Sequence, residues 1–215
     1  MATTIRSYKT RTDSMLPNKR FFSLVGGALV LFHAYVFECK AGEFRSGIYE
    51  NVIIAMDKSG SITGRYQESQ GEGVRKTCSF YFKGKAQGGV AEITTWSDRQ
   101  LPGLIKAVNE GVELKVPGGR EHAGCGLVLL PDIAEGLSFD LLYPTDWQNL
   151  KKIVASVRLR KSITDSEERG QRLTVGTTVG VIDESGDWLL VETTGGEKRA
   201  RGWIRADKTA EQRLP

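Results

Sequence analysis

The chain has 215 residues with 25 glycines and 6 prolines, long enough for two small domains that each bury a core. Its formal net charge of +4 resides in the first twenty residues, where Arg6, Lys9, Arg11, Lys19 and Arg20 face Asp13 alone. From Phe21 onward the two signs balance, and a phosphate-backbone binder would instead concentrate cations on one face, so nucleic acid is excluded as a partner.

In chain order, Lys19-Arg20 precedes the apolar run of residues 21–37, FFSLVGGALVLFHAYVF, which ends at Glu38-Cys39. This is the n-region and h-region of a signal peptide, and it falls short of the roughly 20 residues of a membrane span. Residues 1–41 are therefore expected to be a leader, with Met15 as a second start. The mature form is expected in the periplasm or secreted, with no stable membrane span. An uncleaved anchor and a buried core segment are the alternatives.

Residues 42–150 read as a β-rich domain. Two extended runs flank the polar turn of residues 57–60, and residues 77–82 alternate, with Cys78, Phe80 and Phe82 on one face and Ser79 and Tyr81 on the other. A glycine-rich turn spans residues 84–89 and another strand spans 91–96. Residues 102–109 form the one fair helical stretch. Runs at 114–116, 126–130 and 137–143 complete a meander. Such short strands imply a closed antiparallel barrel, hollow or filled, with a sandwich as the competitor. Residues 147–152 read as a bridge, with Trp147 packed between domains.

Cys78 and Cys125 lie at the edges of two β-type runs, and no Cys or His spacing suggests zinc. Export makes a Cys78–Cys125 disulfide the natural expectation. His122 is the one histidine beyond the leader, with Cys125 too close in sequence for a clear nucleophile–base pair. The carboxylates are dispersed, and Asp57-x-Ser59-x-Ser61 has too few of them for a calcium loop. No metal site, cofactor or catalytic residue is expected.

Residues 153–206 carry Leu159-Arg160, then Leu173, Gly176, Val179 and Val181, then Gly186-Asp187-Trp188-Leu189-Leu190-Val191, and finally Gly202-Trp203-Ile204. This pattern resembles the bacterial SH3-like (SH3b) family and departs from it in the long polar loop of residues 164–171. The resemblance implies a small five-stranded barrel over residues 151–208, a tail over 209–215, and a role in recognition at the cell envelope. Trp188 and Trp203 are then the candidate ligand-binding aromatics, with Glu167, Glu168 and Arg199 as a polar rim. The remainder only weakly resembles exported bacterial β-rich proteins, some of which inhibit envelope-targeting toxins. The reading is an all-β, non-catalytic binding protein acting on another envelope protein, as an inhibitor or immunity protein would. A cell-wall or small-ligand binding module is the alternative, and an envelope hydrolase the second.

Overall fold

The computed structural model describes residues 42–165, 170–195 and 199–211. The expected leader, Glu167 and Glu168 lie outside them. Eight strands follow one another around a closed antiparallel barrel: β1 (Gly47–Tyr49), β2 (Val52–Met56), β3 (Ser61–Gln70), β4 (Lys76–Gln87), β5 (Val90–Trp96), β6 (Gln100–Val108), β7 (Gly111–Lys115) and β8 (Leu137–Pro144), which returns to β1. Closure leaves no free edge, which resolves the competition with a sandwich.

The period-2 alternation fixes what faces inward. On β4, Cys78, Phe80 and Phe82 are buried, as the sequence pattern predicts. They meet Ile54, Ile62, Tyr66, Ile93, Ile105, Leu114 and Phe139 in one cluster, so the barrel is filled by side chains. Tyr66 stacks on Phe80 with centroids 5.0 Å apart, within the range that favours offset aromatic pairs. Phe44, just ahead of β1, joins the same cluster.

Two local expectations are corrected. Residues 102–108 belong to strand β6, not a helix, because Ile105 and Ala107 alternate into the core with period 2, whereas Leu104, Ile105 and Val108 also fit a helical i, i+3, i+4 spacing. Pro102 survives there because pairing of β6 with β7 begins only at Leu104, so its missing N–H breaks no bond on that side. Residues 126–130 are not a strand: 3-10 turns at Cys125–Leu127 and Pro131–Ala134 fold the β7–β8 connection back toward the barrel. That turn puts Cys125, Val128, Leu129 and Ile133 into the core together, which an extended chain could not do. The Cys78–Cys125 disulfide ties this connection to β4, with Cα atoms 4.3 Å apart.

The second sheet begins at Asn149. It contains β9 (Asn149–Ile153), β12 (Thr178–Ser185), β13 (Trp188–Thr193), β14 (Arg201–Arg205) and β15 (Thr209–Glu211), ordered β14-β13-β12-β9-β15. A two-stranded ribbon of β10 (Val157–Arg158) and β11 (Arg172–Leu173) lies between β9 and β12 in the chain. The buried faces supply Ile153, Leu159, Leu173, Val179, Val181, Leu189, Val191 and Ile204 as a separate core.

Trp147 joins the two. It is fully buried with Ala55 of β2, Leu150 of β9 and Ile182 of β12. Its ring lies against Gly180, where a Cβ would come within 2.3 Å of it, so a residue without a side chain is required beneath the indole. The indole Nε1 donates to Glu192 at 3.0 Å, and the Trp147 carbonyl accepts from Ser46 Oγ at 2.6 Å. Thr63 Oγ1 on β3 accepts from the Leu150 backbone N–H at 3.0 Å, so β9 is pinned to the outer wall of the first barrel. Burying an indole removes about 150–250 Å² from water, a gross contribution of about 4–6 kcal/mol.

Candidate functional site

Trp188 opens β13 directly after the tight turn at Gly186-Asp187, and it is partly buried. Two guanidinium groups stack on it. Arg205, its cross-strand partner on β14, places Cζ 5.5 Å from the ring centroid, and Arg160 places Cζ at 4.9 Å. Both distances are in the range of cation–π attraction. Arg205 is steered by Asp187 at 3.5 Å. Arg160 exchanges two backbone hydrogen bonds with Trp203, at 3.0 and 2.8 Å, and its Nη1 donates to the Asp165 carbonyl at 3.0 Å. The start of the long polar loop is thereby fixed beside Trp188.

Trp203 lies opposite Leu190, one diagonal step from Trp188 on the same face, and is partly covered. Arg199 sits elsewhere. It reaches Glu192 at 3.6 Å and stacks on Tyr143 of β8 at 5.3 Å. Glu192 is four positions along β13 from Trp188, about 13 Å at strand rise, so Arg199 serves the junction between the barrel and the second sheet and not the Trp188 surface. The structure thus brings Trp188 and Trp203 together and leaves Arg199 apart. Arg205 and Asp187 were missed as site residues; Arg205 faces Trp188 through the β13–β14 pairing, whose register could have found it.

A second polar cluster lies in the first barrel. His122 is buried, stacks on Phe80 at 4.8 Å, and has Thr95 Oγ1 2.8 Å from Nε2 and Ser97 Oγ 3.1 Å from Nδ1. The Ser97 hydroxyl donates to Asp98 Oδ1 at 2.7 Å, so the proton between Ser97 and the ring belongs on Nδ1. A ring that already carries its proton on that nitrogen cannot take another from Ser97. This is the opposite of the arrangement that activates a serine nucleophile. Burial pushes the His122 pKa down, against the attraction of Asp98. The Ser97 hydroxyl and the Ala123 N–H hold the Asp98 carboxyl down at about 2. The cluster binds the 97–99 turn to the segment that carries Cys125.

Asp57, Tyr49 and Tyr66 are satisfied locally. Asp57 accepts from the Ser59 hydroxyl and from the Ser59 and Ser61 backbone N–H groups, which lowers its pKa and occupies the carboxylate. Tyr49 is raised to about 12 by burial. Tyr66 is raised by burial and by its hydrogen bond to Glu68. Among the described residues, no three His, Cys, Asp or Glu side chains gather as metal ligands. No protein-family model, curated protein or solved structure matches this chain.

Proposed function

We propose that this is a non-catalytic binding protein of the bacterial cell envelope that engages another protein through the Trp188 face of its second barrel. One observation carries the reading: a partly buried indole stacked by Arg160 and Arg205, at the start of a strand and beside a long polar loop. Tryptophan and arginine are the residues most enriched where protein interfaces concentrate their energy. The two guanidinium groups favour a partner segment with acidic residues.

The strand order β14-β13-β12-β9-β15, with a 3-10 turn at Ala206–Lys208 ahead of the last strand, supports an SH3-like module. The Cys78–Cys125 disulfide supports an oxidising compartment and hence export. The same face serves the inhibitor or immunity role suggested by analogy with exported β-rich proteins.

The test places a photo-crosslinking phenylalanine analogue at position 188, an aromatic replacing an aromatic, and compares it with the exposed position Leu142. Crosslinking in the native envelope should give one protein adduct at 188 and none at 142. With that partner purified, Trp188→Ala should weaken binding by about 2 kcal/mol, roughly thirtyfold. No adduct above the control, or an unchanged affinity in the folded variant, refutes the assignment.

A further inference from the structure

We infer that the outer wall of the first barrel carries a second, independent site, which takes an anionic polysaccharide lying across strands β3–β6. The observation is a groove of about 930 Å³ on that wall. Cross-strand register builds it in rows. Ser61, Lys85, Glu92 and Leu104 stand side by side on β3, β4, β5 and β6, and the next row is Thr63, Lys83, Thr94 and Pro102. Neighbouring strands are about 4.8 Å apart, so a ligand crossing them meets a new side chain at that interval.

The inner side explains the concavity. Behind the first row, Ile62, Gly84, Ile93 and Gly103 alternate large with absent side chains. A Cβ on Gly84 would lie 2.2 Å from the Glu92 carbonyl, and one on Gly103 would lie 2.9 Å from that of Lys115. Backbones approach more closely at those positions than any other residue allows, and the wall bends inward there.

The chemistry selects the ligand. Lys106 and Lys115, on neighbouring parts of the wall, are paired with Glu113 and Glu135 at 3.4 and 3.8 Å. Lys83 and Lys85 have no carboxylate within ion-pairing distance among the described residues, Glu92 included. Two uncommitted ammonium groups on one strand call for anionic groups. The surrounding hydroxyls of Ser61 and Thr94 can both donate and accept, as sugar hydroxyls do. Leu104 and Pro102 give the far side an apolar edge for the C–H face of a ring. An extended acidic peptide fits less well. All ladder N–H and C=O groups of a barrel wall are already paired, so a peptide backbone would find no matching partners on this face.

The site is separate from Trp188, so the two assignments fail independently. The probe is a polygalacturonate oligomer, titrated calorimetrically into the full chain, with an uncharged maltodextrin and polyglutamate of similar length alongside. Polygalacturonate should bind, maltodextrin should not, and polyglutamate should bind at least tenfold more weakly. Lys83→Gln/Lys85→Gln should cost about tenfold, the combined effect of two exposed charge contacts. Thr94→Val, which leaves charge untouched, should cost about threefold through one lost hydrogen bond. No polygalacturonate binding, equal binding of polyglutamate, or an unchanged affinity in the folded double lysine variant would overturn the proposal.

Discussion

Replacing both disulfide cysteines by alanine should destabilise the first barrel by about 4 kcal/mol. The bridge spans 47 residues, and the chain-entropy relation for a loop of that length gives roughly 13–14 cal/mol/K, or about 4 kcal/mol at room temperature. For a protein of this size that lowers Tm by roughly 8–16 °C. The loop contains most of β4 and all of β5, β6 and β7, so its release affects half the wall. Urea unfolding of Cys78→Ala/Cys125→Ala against the oxidised parent measures the difference, and the reduced parent separates the lost bond from the lost sulfur volume. Hydrogen exchange adds a local readout: protection across residues 119–134 should fall before that of β3 and β4. A loss below about 1 kcal/mol, with that segment equally protected, would refute the view that the bridge holds the β7–β8 connection in place.

Gly180→Ala should cost about 1–3 kcal/mol, because the new methyl displaces a fully buried indole; an unaltered urea midpoint would contradict the close approach. His122 has a folded pKa below its usual 6.5, so the unfolded chain binds more protons as pH drops below about 6.5. Stability should therefore be full above that pH and decline on acidification, by at most about 1.4 kcal/mol per pH unit, until the folded pKa is passed. His122→Gln should flatten that slope, and a persisting slope would assign it to other groups.

How far the chain could be read from its residues depended on whether one strand or several carried the signal. Cys78, Phe80 and Phe82 alternate within one strand, so their shared face was visible, and the all-β class with it. The Cys78–Cys125 pairing was legible only through the leader, whose export signal made a disulfide the expectation. Residues 102–109 were not, since Leu104, Ile105 and Val108 fit a helix face as well as a strand until β5 and β7 are placed beside them. The 126–130 run misled for a related reason: Val128 and Leu129 enter the core from a 3-10 turn, while Leu127 and Leu130 are exposed. In the second sheet, Trp188 was visible as a site candidate. Its two arginines come from β14 and from the segment before β11, and only their convergence in space makes a site. The groove residues were invisible for the same reason, because their rows run across four strands and no single strand shows them.

The meander gives the first barrel an order of assembly. Each strand from β1 to β8 pairs with its successor, so every seam except one joins neighbours in the chain. The exception joins Gly47 to Pro144 and waits for the last strand to emerge. Pairings between distant residues are the slow ones, because loop entropy must be spent before their contacts form. Cys125 precedes β8, so its bond to Cys78 can form while the cylinder is still an open sheet. Oxidation can thus commit the curvature before the final seam is sealed. Trp147, three residues beyond that seam, then docks the next module onto the finished wall.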